Sequence, residues 1–131
     1  MSTTSKNLSS ETKELTSSFK ASNGDSINGN GFIIGQGAKT IPGSLKVEYN
    51  LNKDYKIFEA VIAPSEQWTG KEDKNIGMVK IYQNGHLIYD SGNIASNRDP
   101  IPVRLSLVDV NQFRIEAYGR ELGLLNAKFI K

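Results

Sequence analysis

The sequence predicts an all-β chain folded as one antiparallel sandwich, and three observations carry that prediction. From about Phe32 onward, short stretches rich in Val, Ile, Phe, Tyr and Leu alternate with turn-forming clusters at roughly ten-residue spacing. Within several stretches apolar and polar residues alternate with a period of two, the mark of a strand with one wet face. No convincing helical stretch lies between them, whereas a parallel sheet would need crossover helices. At 131 residues the chain is the size of a single domain.

The elements follow in chain order. Residues 1–30 are mainly Ser, Thr, Asn, Gly and Lys, a composition that buries little area against its ordering entropy, and the segment reads as a flexible polar leader or linker. Within it, Leu15 and Phe19 suit either a short helix or an edge strand. The domain proper is expected over residues 31–131. Leu45, Val47, Tyr49 and Leu51 alternate with Lys46, Glu48 and Asn50, and Phe58 to Ala63 is evenly apolar, as in a central strand covered on both sides. Met78 to Tyr82 and His86 to Tyr89 flank Gln83-Asn84-Gly85, and Asn-Gly between two such runs is the strongest short-range hairpin signal. Asp90 to Asn93 forms a turn, Val103 to Leu107 and Phe113 to Ala117 alternate again, and Ala127 to Ile130 offers a last short strand. Roughly seven or eight strands result.

Composition excludes several function classes. Sixteen Lys plus Arg against fourteen Asp plus Glu leave a formal charge of +2, with the basic residues scattered singly, so no concentrated phosphate-contacting surface is expected and no nucleic-acid partner. The absence of cysteine removes disulfides, thiol catalysis and Cys-based zinc sites. Met1 to Ser10 is polar, so no signal peptide or anchor is expected there, and apolar runs such as Val61 to Ala63 are far too short to span a bilayer. No membrane partner is expected.

Candidate chemistry is sparse. His86 is the only histidine and has no second His or Cys to share a metal. Glu48, Glu59 and Glu116 alternate with apolar neighbours and belong on wet strand faces rather than facing one another across a cleft. No nucleophile elbow or P-loop occurs, and Gly35-Gln36-Gly37 lacks the rest of a dinucleotide fingerprint, so it reads as a turn. Asp73, Asp90 and Asp99 could serve as oxygen ligands but sit in no spaced calcium motif; no metal and no cofactor is expected. Trp68, the only tryptophan, stands in the polar stretch Pro64 to Asn75, where an indole suits stacking on a sugar ring or capping the end of the core.

Four stretches together resemble a known family. They are Phe32-Ile33-Ile34-Gly35-Gln36-Gly37-Ala38, the run Val47 to Ala60, the hairpin Val79 to Gly92 ending in Ser91-Gly92, and Pro102 to Leu107 with Phe113 to Ala117. In this order they resemble the NPCBM family of carbohydrate-binding modules, to which the family 51 modules belong. The resemblance implies a jelly-roll-like, galactose-binding-domain-like β-sandwich, attached to bacterial extracellular or cell-surface proteins, without catalysis of its own. It further implies a glycan partner, a terminal galactose-type sugar being one candidate, held by loops at one end. Gln36, Lys39, Trp68, Arg120 and Asn126 occupy such loops and are the expected ligand contacts, with Lys39 and Thr40 where the family commonly has a histidine. The alternative is a structural or protein–protein interaction domain of a bacterial surface or phage-like assembly.

Overall fold

The period-two alternation is realised strand by strand. The computed structural model describes the backbone of residues 2–9, 12–15, 18–27, 29–37 and 42–131, and their side chains from residue 7 on. The strands are β1 Ser2–Leu8, β2 Lys13–Leu15, β3 Phe19–Lys20, β4 Ser26–Ile27, β5 Gly31–Ile34 and β6 Gly43–Asn50. After these come β7 Ile57–Pro64, β8 Gly77–Gln83, β9 His86–Asp90, β10 Ile101–Ser106, β11 Gln112–Gly119 and β12 Leu122–Ile130. They pair antiparallel into a first sheet of order β1-β6-β11-β8-β9, a second of order β10-β7-β12-β5-β2, and a small ribbon β3-β4. The fold is the expected antiparallel β-sandwich.

The expected hairpin joins β8 to β9. Asn84 and Gly85 take φ of 50° and 83°, the two positive values that a tight turn matched to strand twist demands. Between the sheets, Leu45, Val47, Ile81, Phe113 and Ile115 from the first meet Ile34, Phe58, Ile62, Leu122 and Leu124 from the second in one buried core. Phe58 and Phe113 sit 4.7 Å apart between ring centroids, and Phe129 meets Phe113 edge-on at 5.2 Å, an arrangement aromatic pairs favour.

Residues 1–30, expected as a leader, instead supply β1 to β4. β1 extends the first sheet and β2 the second, and the ribbon lies on the outer face of the second sheet. Phe19 and Ala21 there bury a second, smaller core with Ala63 and Leu125, flanked by Leu15, Ile27, Ile33 and Val61. Composition misleads because an edge strand gains ladder hydrogen bonds whatever its side chains are, so a few well-placed apolar residues are enough to dock it. This cover also accounts for the evenly apolar β7: Phe58, Ala60 and Ile62 face the main core, while Val61 and Ala63 face the ribbon.

The last strand begins at Leu122, not at Ala127. Leu122-Gly123-Leu124-Leu125 is apolar on both faces for the same reason as β7, and the pairing with β7 shifts register between Leu125 and Lys128. Asn126 stands at that bulge with φ of 52°. Leu15 and Phe19 both fall in strands, which settles the choice between helix and edge strand.

Candidate functional site

One end of the sandwich is organised by the step from β11 to β12, which carries the chain from the first sheet to the second in two residues, Arg120 and Glu121. Glu121 has φ of 54°. The backbone of the pair is bonded on all sides. Arg120 N–H donates to Ile76 C=O at 2.8 Å, Glu121 N–H to Gly35 C=O at 2.9 Å, and Ser65 N–H to Glu121 C=O at 3.0 Å. Gly35 makes the approach possible: its φ is +69°, and a Cβ there would fall 2.0 Å from Gly119 O.

The side chains extend this network. A single 3-10 turn, Glu66–Trp68, follows β7, capped by Ser65 Oγ, which accepts the Gln67 N–H. The turn delivers the Trp68 indole N–H to Arg120 C=O at 2.8 Å. Arg120 Nη2 donates to Asp73 Oδ2 at 2.8 Å and to Asn75 C=O, and its guanidinium lies 5.4 Å from the Trp68 ring, within cation–π range. Asp73 Oδ1 accepts the Asn75 N–H at 3.0 Å. That backbone hydrogen bond, then Arg120, holds the Asp73 carboxyl below the ordinary carboxylate range. Glu121 accepts the Gly37 N–H at 2.8 Å and the Ser65 hydroxyl at 2.9 Å.

Between these groups lies a groove of about 370 Å³, lined by Gln36, Gln67, Trp68 and Lys71 together with Asp73, Arg120 and Glu121. Chemically it presents an indole, two side-chain amides, an ammonium and an ion-paired guanidinium. Both carboxylates are engaged by protein donors, and Asp73 is held in the ionised form, the wrong state for a general acid. The arrangement suits hydrogen-bonded recognition rather than proton transfer.

Of the expected contacts, Gln36, Trp68 and Arg120 line this one groove, although Trp68 and Arg120 are 52 residues apart. Trp68 combines the two readings of it, being half-buried against the main core while lining the groove. Lys39 lies outside the described residues. Asn126 is not in this groove: it stands at the β12 bulge, in a shallow depression with Glu59, Arg104 and Lys128. The lining also includes Gln67 and Lys71 of the Trp68 stretch, Asp73, which the sequence offered only as an oxygen ligand, and Glu121, which it did not single out. Asp73-Lys74-Asn75 carries a local signal, an Asx turn, while Glu121 carries none.

Asp73 is the partner of Arg120. Asp90 accepts the Gly92 N–H, and Asp99 faces Asn23 at 3.5 Å. Among the described residues no three His, Cys, Asp or Glu side chains gather as a metal site.

No protein-family model matches the sequence, and no curated protein matches it either. Solved structures do. The CBM51 of Clostridium perfringens GH95, in complex with methyl-galactose, is 14% identical with a TM-score of 0.63, over 95% of this chain and 94% of that one. The tandem CBM51 modules of the family 98 glycoside hydrolase of Streptococcus pneumoniae SP3-BS71 give 10% identity and a TM-score of 0.69, over 99% of this chain and 45% of that one. The CBM51-2 and INT domains of Clostridium perfringens ZmpB, with GlcNAc, give 10% and 0.63, over 97% of this chain and 30% of that one. At these identities the likeness concerns architecture: the chain has the antiparallel sandwich fold of the CBM51 modules.

Proposed function

We propose that this domain is a non-catalytic carbohydrate-binding module, an accessory part of a bacterial extracellular protein, which holds a glycan end in the groove at Arg120. The observation that carries the reading is the convergence of Trp68, Gln36, Gln67 and Arg120 on one groove at the end of the sandwich. Its size, about 370 Å³, falls in the range of small-ligand sites, and its mixture of indole and fixed donors matches the apolar faces and hydroxyls of a sugar. The fold shared with modules solved with methyl-galactose and GlcNAc supports it, and a terminal galactose-type sugar is the first ligand to try.

The test is a glycan array followed by calorimetric titration of each hit against wild type, Gln67→Ala and Trp68→Ala. Gln67 is exposed, so its loss leaves the fold intact and reads the groove alone. Binding weakened in Gln67→Ala supports the reading; hits unaffected by both substitutions remove it. Leu87 and Ile88, 49% and 51% exposed on the edge strand β9, favour the second reading, a protein-interaction domain. An array with no hits moves the assignment there.

A further inference from the structure

The outer face of the first sheet carries a trough that shares no lining residue with the groove at Arg120. Every second residue of β6, β8 and β11 points away from the core, and the ladder registers set these residues in rows. Glu116 stands opposite Lys46 on one side and Lys80 on the other, while Tyr118 stands opposite Ser44 and Met78. The trough encloses about 480 Å³, and the apolar surface it offers on the outward face comes from Met78 and the Tyr118 ring. Tyr118 is 38% exposed within it.

The one carboxylate lining the trough, Glu116, is already engaged, while Glu48, outward on β6, lies outside the lining. Glu116 forms an ion pair with Arg114 at 2.6 Å, and the Arg114 guanidinium rests on the Tyr82 ring at 4.2 Å. Asp90, across from Lys80 on β9, accepts the Gly92 N–H at 2.8 Å. Among the described residues, no hydrogen bond or ion pair engages the Lys46 or Lys80 ammonium group or the Tyr118 hydroxyl. Two strand spacings separate β6 from β8, which sets the two lysine stems about 10 Å apart, comparable with one disaccharide of an extended chain. The three strands are interior to the sheet, so their backbone groups are used in ladders and a ligand here meets side chains alone.

We propose that this trough is a second binding site, for an extended acidic glycan whose carboxylate or sulfate groups take Lys46 and Lys80 while a sugar ring lies against Tyr118. Met78 and the open phenol suit a pyranose face, and the two ammonium groups flanking them select for negative charge. The site does not depend on the groove at Arg120.

The experiment titrates the 131-residue chain calorimetrically with oligogalacturonate, heparin-derived oligosaccharides and maltooligosaccharides, which separate carboxylate, sulfate and neutral chains. The same titrations are run on Lys46→Gln/Lys80→Gln, Tyr118→Ala and Gln67→Ala. An acidic chain binds wild type, weakens about tenfold or more in the double lysine variant and in raised salt, weakens in Tyr118→Ala, and is unchanged in Gln67→Ala. Thermal unfolding confirms that the exposed substitutions leave the fold intact. Three results overturn the proposal: neither acidic oligosaccharide binding at concentrations on the order of millimolar, equal affinity for the double lysine variant, or polyglutamate binding as tightly as the glycan.

Discussion

Replacing Phe19 by alanine tests whether the N-terminal ribbon is part of the fold. Phe19 is buried in the outer core of the second sheet, and its ring lies over Gly123, where a Cβ would come within 2.8 Å of Cζ and 2.9 Å of Cε2. Truncating a buried Phe removes transfer energy and leaves a cavity, usually 3–5 kcal/mol together; this small cluster near the surface relaxes easily, so about 3 kcal/mol is expected, or roughly 10 °C in Tm. Gly123→Ala overpacks the same spot and costs about 1–3 kcal/mol. In the Phe19→Ala background the added methyl has room, so the second substitution becomes nearly neutral and the pair couples by about 1–2 kcal/mol. Urea unfolding followed by far-ultraviolet circular dichroism and by Trp68 fluorescence gives all four corners of the cycle. A Phe19→Ala loss below about 0.5 kcal/mol, or strict additivity, refutes the seating of the ribbon on Gly123.

Other expectations follow from the same contacts. A chain begun at residue 31 leaves Ala63, Val61 and Leu125 uncovered, and should show reduced solubility and a lower urea midpoint than the full chain. Gly35→Ala forces a side chain onto positive φ and into Gly119 O, so it should fail to fold or lose several kcal/mol in urea unfolding. Because the folded-state pKa of Asp73 is lowered, its contribution to stability is full above the unfolded value and fades as pH falls through the folded one; Asp73→Asn should flatten that part of the acid limb in a Tm-against-pH series. Burial raises the Tyr49 hydroxyl, so stability should fall as pH climbs past the unfolded tyrosine value near 10, and Tyr49→Phe should reduce that fall.

What the sequence revealed depended on how local the cause was. The Asn84-Gly85 hairpin is written in two adjacent residues with a required φ, and the alternation of β6 in eight, so both could be read directly. Residues 1–30 could not, because β1 and β2 are held through pairing with β6 and β5, and nothing in Ser, Thr and Asn composition announces a partner strand. The double-sided burial of Leu122 to Leu125 was hidden for the same reason, since the ribbon that covers one side was itself unseen. Within the groove, Trp68 and Arg120 were legible as an indole and a cation in turns. The partner of Arg120, Asp73, was not, because that bond spans 47 residues and depends on where β8 begins and β11 ends.

For the glycan binding proposed at this groove, the two-residue step at Arg120 and Glu121 sets how specificity can vary. Its backbone and both side chains are anchored to three separate segments, at Gly35 to Gly37, Ser65 to Trp68 and Asp73 to Ile76. A ligand entering here meets a wall formed when the chain folded, so little ordering remains to oppose association, and the free and bound shapes should coincide. Substitutions of the wall itself would unfasten the sandwich end before they altered taste for one sugar over another. Room for new specificities is thereby confined to the outward ends of Gln36, Gln67 and Lys71, which can be exchanged without loosening the frame behind them.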